Sequence, residues 1–505
     1  MALSDFLDSA IATFAPVAGA RRARARAQIN AIREVEAAYD GASRSHRMRF
    51  HKVEPTSANA EISISLERLR NVSRDLRRNN SLAANCIAVI GSHVVGTGIV
   101  PNLPGEGLGK RVKTSVARLV RQHLESTAID FDGRHDLYGL QRLVLDTVIE
   151  SGEALVVRYM PPATVRLPIP LQVRVLDPDY LDTSKDGPGK DGGYCYQGIE
   201  VDVAGRRKGY WLYDEHPGGS LNWHLPQSRF VAARDVIHVY RPDRPGQMRG
   251  VPWVAPVIVP MRDLAEYEDA EIVRQKIAAC FAVFFTGTPD QNIAQQAAAA
   301  AKSAVGNPIN VLEPGLMKDL GNRDVKFATP PTVTGFADFV RTRQRSICAG
   351  FGVPYELATG DLGQVSFISG RLGLLQFDRN VGAWRWQMLI PHLCDGIGKW
   401  FFEAAQIVVG QKLTDLVFEW TPPAREMIEP SKEIPAARDA IRSGLSSRSE
   451  ELRKRGLDPE AIDAENAADN DRADGLKLKF DSDGRTPANV AIGENGKPNG
   501  KEPPD

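Results

Sequence analysis

"LQVRVLDPDYLDT", residues 171–183, sets the fold class. Leu171, Val173 and Val175 alternate with Gln172 and Arg174, the two-residue period of a strand with one apolar face, and Asp177-Pro178-Asp179 then reads as a turn whose proline presets the backbone. The same alternation recurs downstream. Ile199, Val201 and Val203 alternate with Glu200 and Asp202, and "GYWLYD" (209–214) and "VIHVY" (236–240) continue it, separated by "KDGPGKDGG" (185–193) and "GRRKG" (205–209). Residues 169–240 therefore predict an antiparallel sheet with one wet face.

Helical periodicity flanks this sheet. Leu66, Leu69, Val72 and Leu76 mark an amphipathic helix with Arg68, Arg70, Arg74, Arg77 and Arg78 on its other faces. Asp136 caps a second helix carrying Leu137, Leu140, Val144 and Val148, which stops at Gly152 before the strand "ALVVRYM" (154–160). After Pro260, Met261, Leu264, Ala265, Glu268 and Ile272 fall at helical spacing. That helix also holds five acids in nine residues, Asp263, Glu266, Glu268, Asp269 and Glu271. Another helix resumes near Phe336, with Phe339, Val340 and Ile347 apolar and Arg341, Arg343 and Arg345 exposed. The stretch "FGVPYELATGDLGQVSFISGR" (351–371) interrupts it. A helix from about Arg371 is expected to be largely buried, given Trp384, Trp386, Trp400, Phe401 and Phe402. The strand "DLVFEW" (415–420) follows, then small helices signalled by a Ser447/Glu450 capping box and by Pro459 at a first helical position. Past Phe480 the composition is that of a disordered tail.

Composition restricts function. A chain of 505 residues exceeds one ordinary core, and 63 basic residues balance 63 acidic ones, so contact with a polyanion must come from local patches. Five scattered cysteines without a C-x-x-C pair fit assembly in a reducing cytoplasm and no disulfide framework. The N-terminal apolar patch has acids before it and arginines after it, the reverse of a secretory signal, and "IAACFAVFF" (277–285) is too short to span a bilayer. Arg21, Arg22, Arg24 and Arg26 form a basic arm that reads either as a nucleic-acid contact or as a solvated helical face.

Catalytic signatures are missing from the sequence. "PGEGLGKR" (104–111) lacks the first glycine and the final Ser/Thr of a phosphate-binding loop, and neither H-E-x-x-H nor G-x-S-x-G occurs. Two carboxylate pairs, Asp177/Asp179 and Asp130/Asp132, have the spacing to hold Mg²⁺ for phosphoryl chemistry, although "DPDY" equally makes a turn. No cofactor is indicated.

Several phrases, in order, resemble the lambda-type portal proteins of tailed bacteriophages from about Tyr39 to Ala473: "LRNVSRDLRRNNSLAANCIAVIGSHVVGTG" (69–98), the strand ending in Asp-Pro-Asp, "GIEVDVAGRRKGYWLYDEHPG" (198–218), "VIHVYRPDRPGQMRGVPWVAPVI" (236–258), "FGVPYE" (351–356) and "EPSKEIPAARDAIRSGLSSRSEELRKRGLDPEAI" (429–462). Where that family often reads Asn-Tyr-Ser-Ser before the arginine that restarts the helix, this chain has Ser366, Phe367, Ile368, Ser369, Gly370 and Arg371, so only Ser369 and Arg371 keep the usual chemistry.

The resemblance implies an α+β portal fold and no enzyme activity. It implies a ring of identical subunits, usually twelve, at one capsid vertex of the virion, assembled in the bacterial cytoplasm, serving as the channel for DNA packaging and ejection. Implied partners are double-stranded DNA, the terminase large subunit, a head-completion or adaptor protein and the major capsid or scaffold protein, with no membrane. Mapped on this chain, the expected regions are an N-terminal arm (1–60), a wing (61–251), a first stem helix (252–280), a clip (281–332) and a second stem helix (333–352). A tunnel loop (353–370), its helix and return to the wing (371–430), crown-like helices (431–480) and a tail (481–505) complete the map. Gly360, Asp361, Gly363, Gln364, Ser366, Ser369 and Arg371 would then touch passing DNA, and the five stem acids would face the channel. Three alternatives stay open: a Mg²⁺-dependent nuclease using Asp177 and Asp179, a DNA-binding module working through the basic arm, and another capsid or head-completion component.

Overall fold

The computed structural model describes residues 55–103, 109–279 except 163, 190 and 220–226, the segments 283–286 and 324–327, residues 335–480 except 426 and 479, and Arg24 and Arg485. Contacts divide the chain into residues 1–61 and 62–505. In the first unit the described residues are Arg24, which is helical and exposed, and 55–61, where a helix begins. Arg21, Arg22 and Arg26, most of the clip and nearly all of the tail lie outside the described residues.

Helix α1 (Ala58–Asn79) leads into α2 (Ser81–Val94), whose first turn is capped when the Ala83 N–H donates to the Asn80 side chain at 3.0 Å. Strand β1 (Val100–Asn102), α3 (Lys110–Leu119) and α4 (Leu137–Ser151) follow, and α4 is bounded as its sequence indicates, by an Asp136 cap and by Gly152 at φ +91°. A side chain at Gly152 would also collide with the backbone of Gly250 and Val251.

Two sheets follow where one was expected. Strands β2 (Glu153–Tyr159) and β3 (Gln172–Leu176) form the first with a later strand, β9 (Val236–Tyr240), in the order β3-β2-β9. The short strands β4 (Gly187–Pro188), β5 (Tyr194–Tyr196), β6 (Ile199–Val201), β7 (Arg207–Tyr213) and β8 (Ser228–Ala232) make a second, antiparallel sheet in sequence order. The β2 side chains divide between two cores. Ala154 and Val156 join α2, α4 and the C-terminal helices, whereas Leu155 and Val157 meet Ile199, Tyr210 and Leu212 of the outer sheet. Strand β2 is thus buried on both faces for most of its length, whereas β3 at the sheet's edge keeps Arg174 partly exposed. Val203 does not extend β6; it is exposed in a hairpin turn where Arg206 N–H donates to Asp202 at 2.8 Å.

Helix α5 (Ile258–Ala279) leaves this core; β10 (Val283–Thr286) pairs antiparallel with β11 (Asp324–Phe327), and α6 (Phe336–Phe351) returns. The short α7 (Tyr355–Thr359) and the long α8 (Phe367–Trp384) follow, and a widened π-helical stretch, 385–394, accommodates Pro391 and joins α8 to α9 (Asp395–Val409). Trp400, Phe401 and Phe402 are buried as expected, but Trp386 is exposed, because it falls on the outer side of the widened turn. Strand β12 (Glu419–Thr421) pairs with β1. Helices α10 (Pro430–Arg442), α11 (Arg448–Lys454) and α12 (Pro459–Gly475) bury no side chain within the chain. Of the expected capping box, Ser447 accepts from Glu450 N–H, while the Glu450 carboxylate turns to Lys454. No described helix is long and apolar enough to cross a membrane.

Candidate functional site

Asp177 accepts from the Asp179 N–H and opens the one-turn helix Pro178–Tyr180, so the turn reading of "DPDY" holds. Its carboxylate and that of Asp179 are taken up by arginines. Arg74 bonds Asp179 at 2.6 Å and also Asp177, and Arg70 bridges Asp179 and Glu153. Burial alone would raise the Asp179 carboxyl, but Arg70 and Arg74 outweigh it and hold it below the usual range. A divalent ion would have to displace both guanidinium groups, which corrects the nuclease alternative. The Asp130 carboxylate is likewise committed, accepting from the N–H groups of Asp132, Arg134 and His135 at 3.2, 2.8 and 3.0 Å.

Glu153, at the start of β2, is the fully buried hub of this network. It accepts from Arg249 (2.6 and 2.9 Å), Arg70 (3.2 Å), Gly250 N–H (2.9 Å) and His238 Nε2 (3.0 Å). Burial opposes its charge; Arg249 and His238 more than compensate, keeping the carboxyl well below its ordinary range. Sequence reasoning placed Arg70 on an outer helix face and missed Glu153, Arg249 and His238 altogether. The available signal was an acid between Gly152 and an unbroken apolar run.

His238 and His123 are both buried and neutral, burial lowering each to about 4. Because these folded values lie below the unfolded 6.5, the unfolded chain takes up protons first as pH falls. The associated stability is intact above pH 6.5 and shrinks by about 1.4 kcal/mol per histidine per pH unit down to about 4. Burial also lowers His93 and His392, so thermal melts from pH 7.5 to 4.5 should show a steep fall, made shallower by His123→Gln; a flat profile contradicts this.

Helices α5 and α6 form an antiparallel hairpin. At one end Tyr267 stacks on Phe336 (5.7 Å) and meets Phe339 edge-on (4.8 Å). At the other, Gly350 lies so close to Val257 that a Cβ would sit 2.2 Å from its Cγ1. The five acids of α5 do not share a face, since each residue adds about 100° of rotation. Asp263, Glu266 and Asp269 are exposed, Glu266 beside Arg262 at 2.9 Å. Glu268 is half-buried, its carboxyl raised by burial and by Asp269, and Glu271 is covered by Arg274 and Gln275.

The 353–370 segment is only partly a loop. Gly352, at φ +74°, ends α6, with Val353 N–H reaching back to Cys348 O at 3.0 Å. Val353 and Ala358 are buried, and Asn85 donates to Ala358 O at 2.5 Å, so α7 is anchored in the core. Gly360 closes α7 at φ +73°. Asp361 accepts from Gly363 N–H (3.2 Å) and Tyr355 O–H (3.1 Å), bonds that hold its carboxyl low, with Arg341 at 3.8 Å. Arg341 is thus turned inward and not simply exposed. Ser366 and Ser369 cap each other's backbone N–H groups at 3.2 and 3.0 Å, so α8 starts at Phe367, four residues before Arg371. Their hydroxyls are engaged in that cap, and Gly370 lies inside the helix. Leu362, Gly363, Gln364 and Arg371 remain exposed.

Residues 44–385 match the family described as phage portal protein, lambda family. The chain is 24% identical over 418 residues to the probable portal protein of Halomonas phage phiHAP-1, covering 78% of each. It is also 24% identical to portal protein B of Escherichia phage lambda, covering 87% of this chain and 91% of that protein. The portal protein of Escherichia phage N15 is 23% identical, with 81% and 86% covered. Among solved structures, a chain from the neck of a native gene transfer agent particle aligns with a TM-score of 0.44 at 15% identity, covering 79% of this chain and 94% of that one. A portal protein of the HK97 family from Corynebacterium diphtheriae aligns at 0.30 and 11% identity, with 73% and 96% covered.

Proposed function

The chain belongs to the lambda family of phage portal proteins, and we propose from that membership that it closes into a ring of twelve copies at one capsid vertex, with the α5–α6 hairpin lining a channel for duplex DNA. It is a portal protein of the phage head–tail connector, a structural and not an enzymatic part. In the proposed ring α5 and α6 are the stem, β10 and β11 root the clip that meets the terminase large subunit, and residues 360–366 form the tunnel loop. The wing, built on the two sheets, faces the major capsid or scaffold protein, and a head-completion or adaptor protein joins the ring in the virion.

The observation that most supports this reading is the hairpin itself. At one end it continues into two paired strands, so the chain leaves and returns side by side, and at the other it turns into an exposed loop beyond an anchored helix. A channel for sliding DNA must avoid tight phosphate contacts, because each neutralised phosphate adds a counterion-release gain that holds the duplex. Asp263, Glu266 and Asp269, the exposed acids of α5, supply that repulsion if they face the lumen. Replacing all three by lysine should leave ring assembly intact and slow DNA packaging roughly tenfold at 50 mM salt, with partial recovery at 200 mM. Packaging at the unaltered rate would sink the channel assignment of α5.

A further inference from the structure

We propose that Asp361 is a stand-in for phosphate, held by the loop 360–366 against the α6 face that carries Arg341 and Arg345, and displaced from it by the phosphates of duplex DNA, which frees the loop where DNA is present. The inference rests on the channel reading, which brings DNA to this loop. Arg341 and Arg345 lie on one face of α6, about 6 Å apart along its axis. Tyr355, in the first turn of α7, lies beneath the Arg345 guanidinium, whose Cζ is 5.3 Å from the ring centre, and its O–H donates to Asp361 Oδ2 at 3.1 Å. The same carboxylate oxygen lies 3.8 Å from Arg341 Nε, while Asp361 Oδ1 accepts from Gly363 N–H at 3.2 Å.

A guanidinium, a phenol and a backbone N–H gathered on one carboxylate are also the donors that recognise a phosphate oxygen. Arg345 has no ionic partner among the described residues, and Arg341 has, besides Asp361, only Asp338 of its own helix at 3.5 Å. Two cations on one helix face thus share a single loop acid, and two phosphates of a duplex would serve both. The contact is also open to exchange. The Arg341 and Asp361 side chains keep 30% and 40% exposure, and an ion pair so exposed is readily traded for another anion. Asp361 is the loop's tie to α6, since no other side chain of 360–366 bonds to that helix among the described residues. On either side the chain is fixed, by buried Ala358 and by the Ser366 cap of α8, while Leu362, Gly363 and Gln364 between them are exposed.

Two measurements on the full-length protein test this. In hydrogen–deuterium exchange, Asp361→Ala should speed amide exchange across 360–366 by about tenfold, whereas Asp338→Ala should leave it at the wild-type rate. On purified rings, Asp361→Ala should bind a short DNA duplex at least about threefold more tightly at about 50 mM salt, with a salt slope steeper by about 0.9–1.8, the counterion release of one or two phosphates. That gain should vanish when Arg341→Gln and Arg345→Gln are added. A gain that persists without the two arginines would mean that Asp361 only repels DNA at a distance, and unchanged exchange in Asp361→Ala would mean that it does not hold the loop. Either result overturns the inference, and wild-type rings leave the portal reading standing. A wild-type chain that stays monomeric would overturn both.

Discussion

Glu153→Ala is expected to cost about 3–5 kcal/mol of stability, because it strands buried Arg249 and leaves Arg70 with Asp179 alone. The penalty is asymmetric. An intact buried pair adds little net stability over a well-packed apolar substitute, yet removing one partner exposes the full desolvation penalty of the other. Glu153→Leu combined with Arg249→Met should therefore be far less damaging than Glu153→Ala. Gln at 153 should fall between, since it still accepts from Gly250 N–H but carries no charge. Urea denaturation of the three variants checks the order; a loss under about 1 kcal/mol for Glu153→Ala would show that the network is not the clamp joining α1, β2 and the Arg249-Gly250 segment.

Trp253→Ala should cost a comparable amount, about 3–5 kcal/mol, by a different route. Trp253 is almost fully buried where the chain passes from β9 into α5. Its ring lies 5.0 Å from that of Trp384, Arg241 stacks over it at 4.6 Å, and its backbone N–H donates to Ile149 O at 3.1 Å. Alanine leaves a cavity among rigid neighbours that cannot collapse to fill it. The indole N–H has no acceptor among the described residues, so Trp253→Phe gives up ring area but also relieves an unpaired donor. Phenylalanine should accordingly cost less than half as much as alanine; equal losses would mean that the site is held by something other than ring packing.

Local signals in the sequence carried much of this architecture. The Asp136 cap, the stop at Gly152 and the Asp-Pro-Asp turn are each decided within a few residues, and each appears where its chemistry requires. Pairing across long separations was not legible. Alternation in 169–240 marks strands but cannot assign them to sheets, so "VIHVY" was grouped with the outer strands although it pairs with β2, and Leu155 and Val157 were not seen to face a second core. The acidic helix shows the same limit. Counting five acids in nine residues hides their rotation, which exposes Asp263, Glu266 and Asp269 and turns Glu271 under Arg274. In the 351–371 stretch Gly352 and Gly360 do reverse the chain at positive φ, and Ser366 and Ser369, which stay exposed, also start α8. The arginine network is not legible because Arg70, Glu153 and Arg249 are 83 and 96 residues apart along the chain and meet only in the folded state.

The central claim is that copies of this chain surround a hole lined by the α5–α6 hairpin. Electron cryo-microscopy of the purified full-length protein tests it most directly. A closed ring with residues 258–279 and 336–351 bordering an axial channel wide enough for duplex DNA is the predicted result. A monomer, or a ring carrying that hairpin on its outer rim, would contradict it.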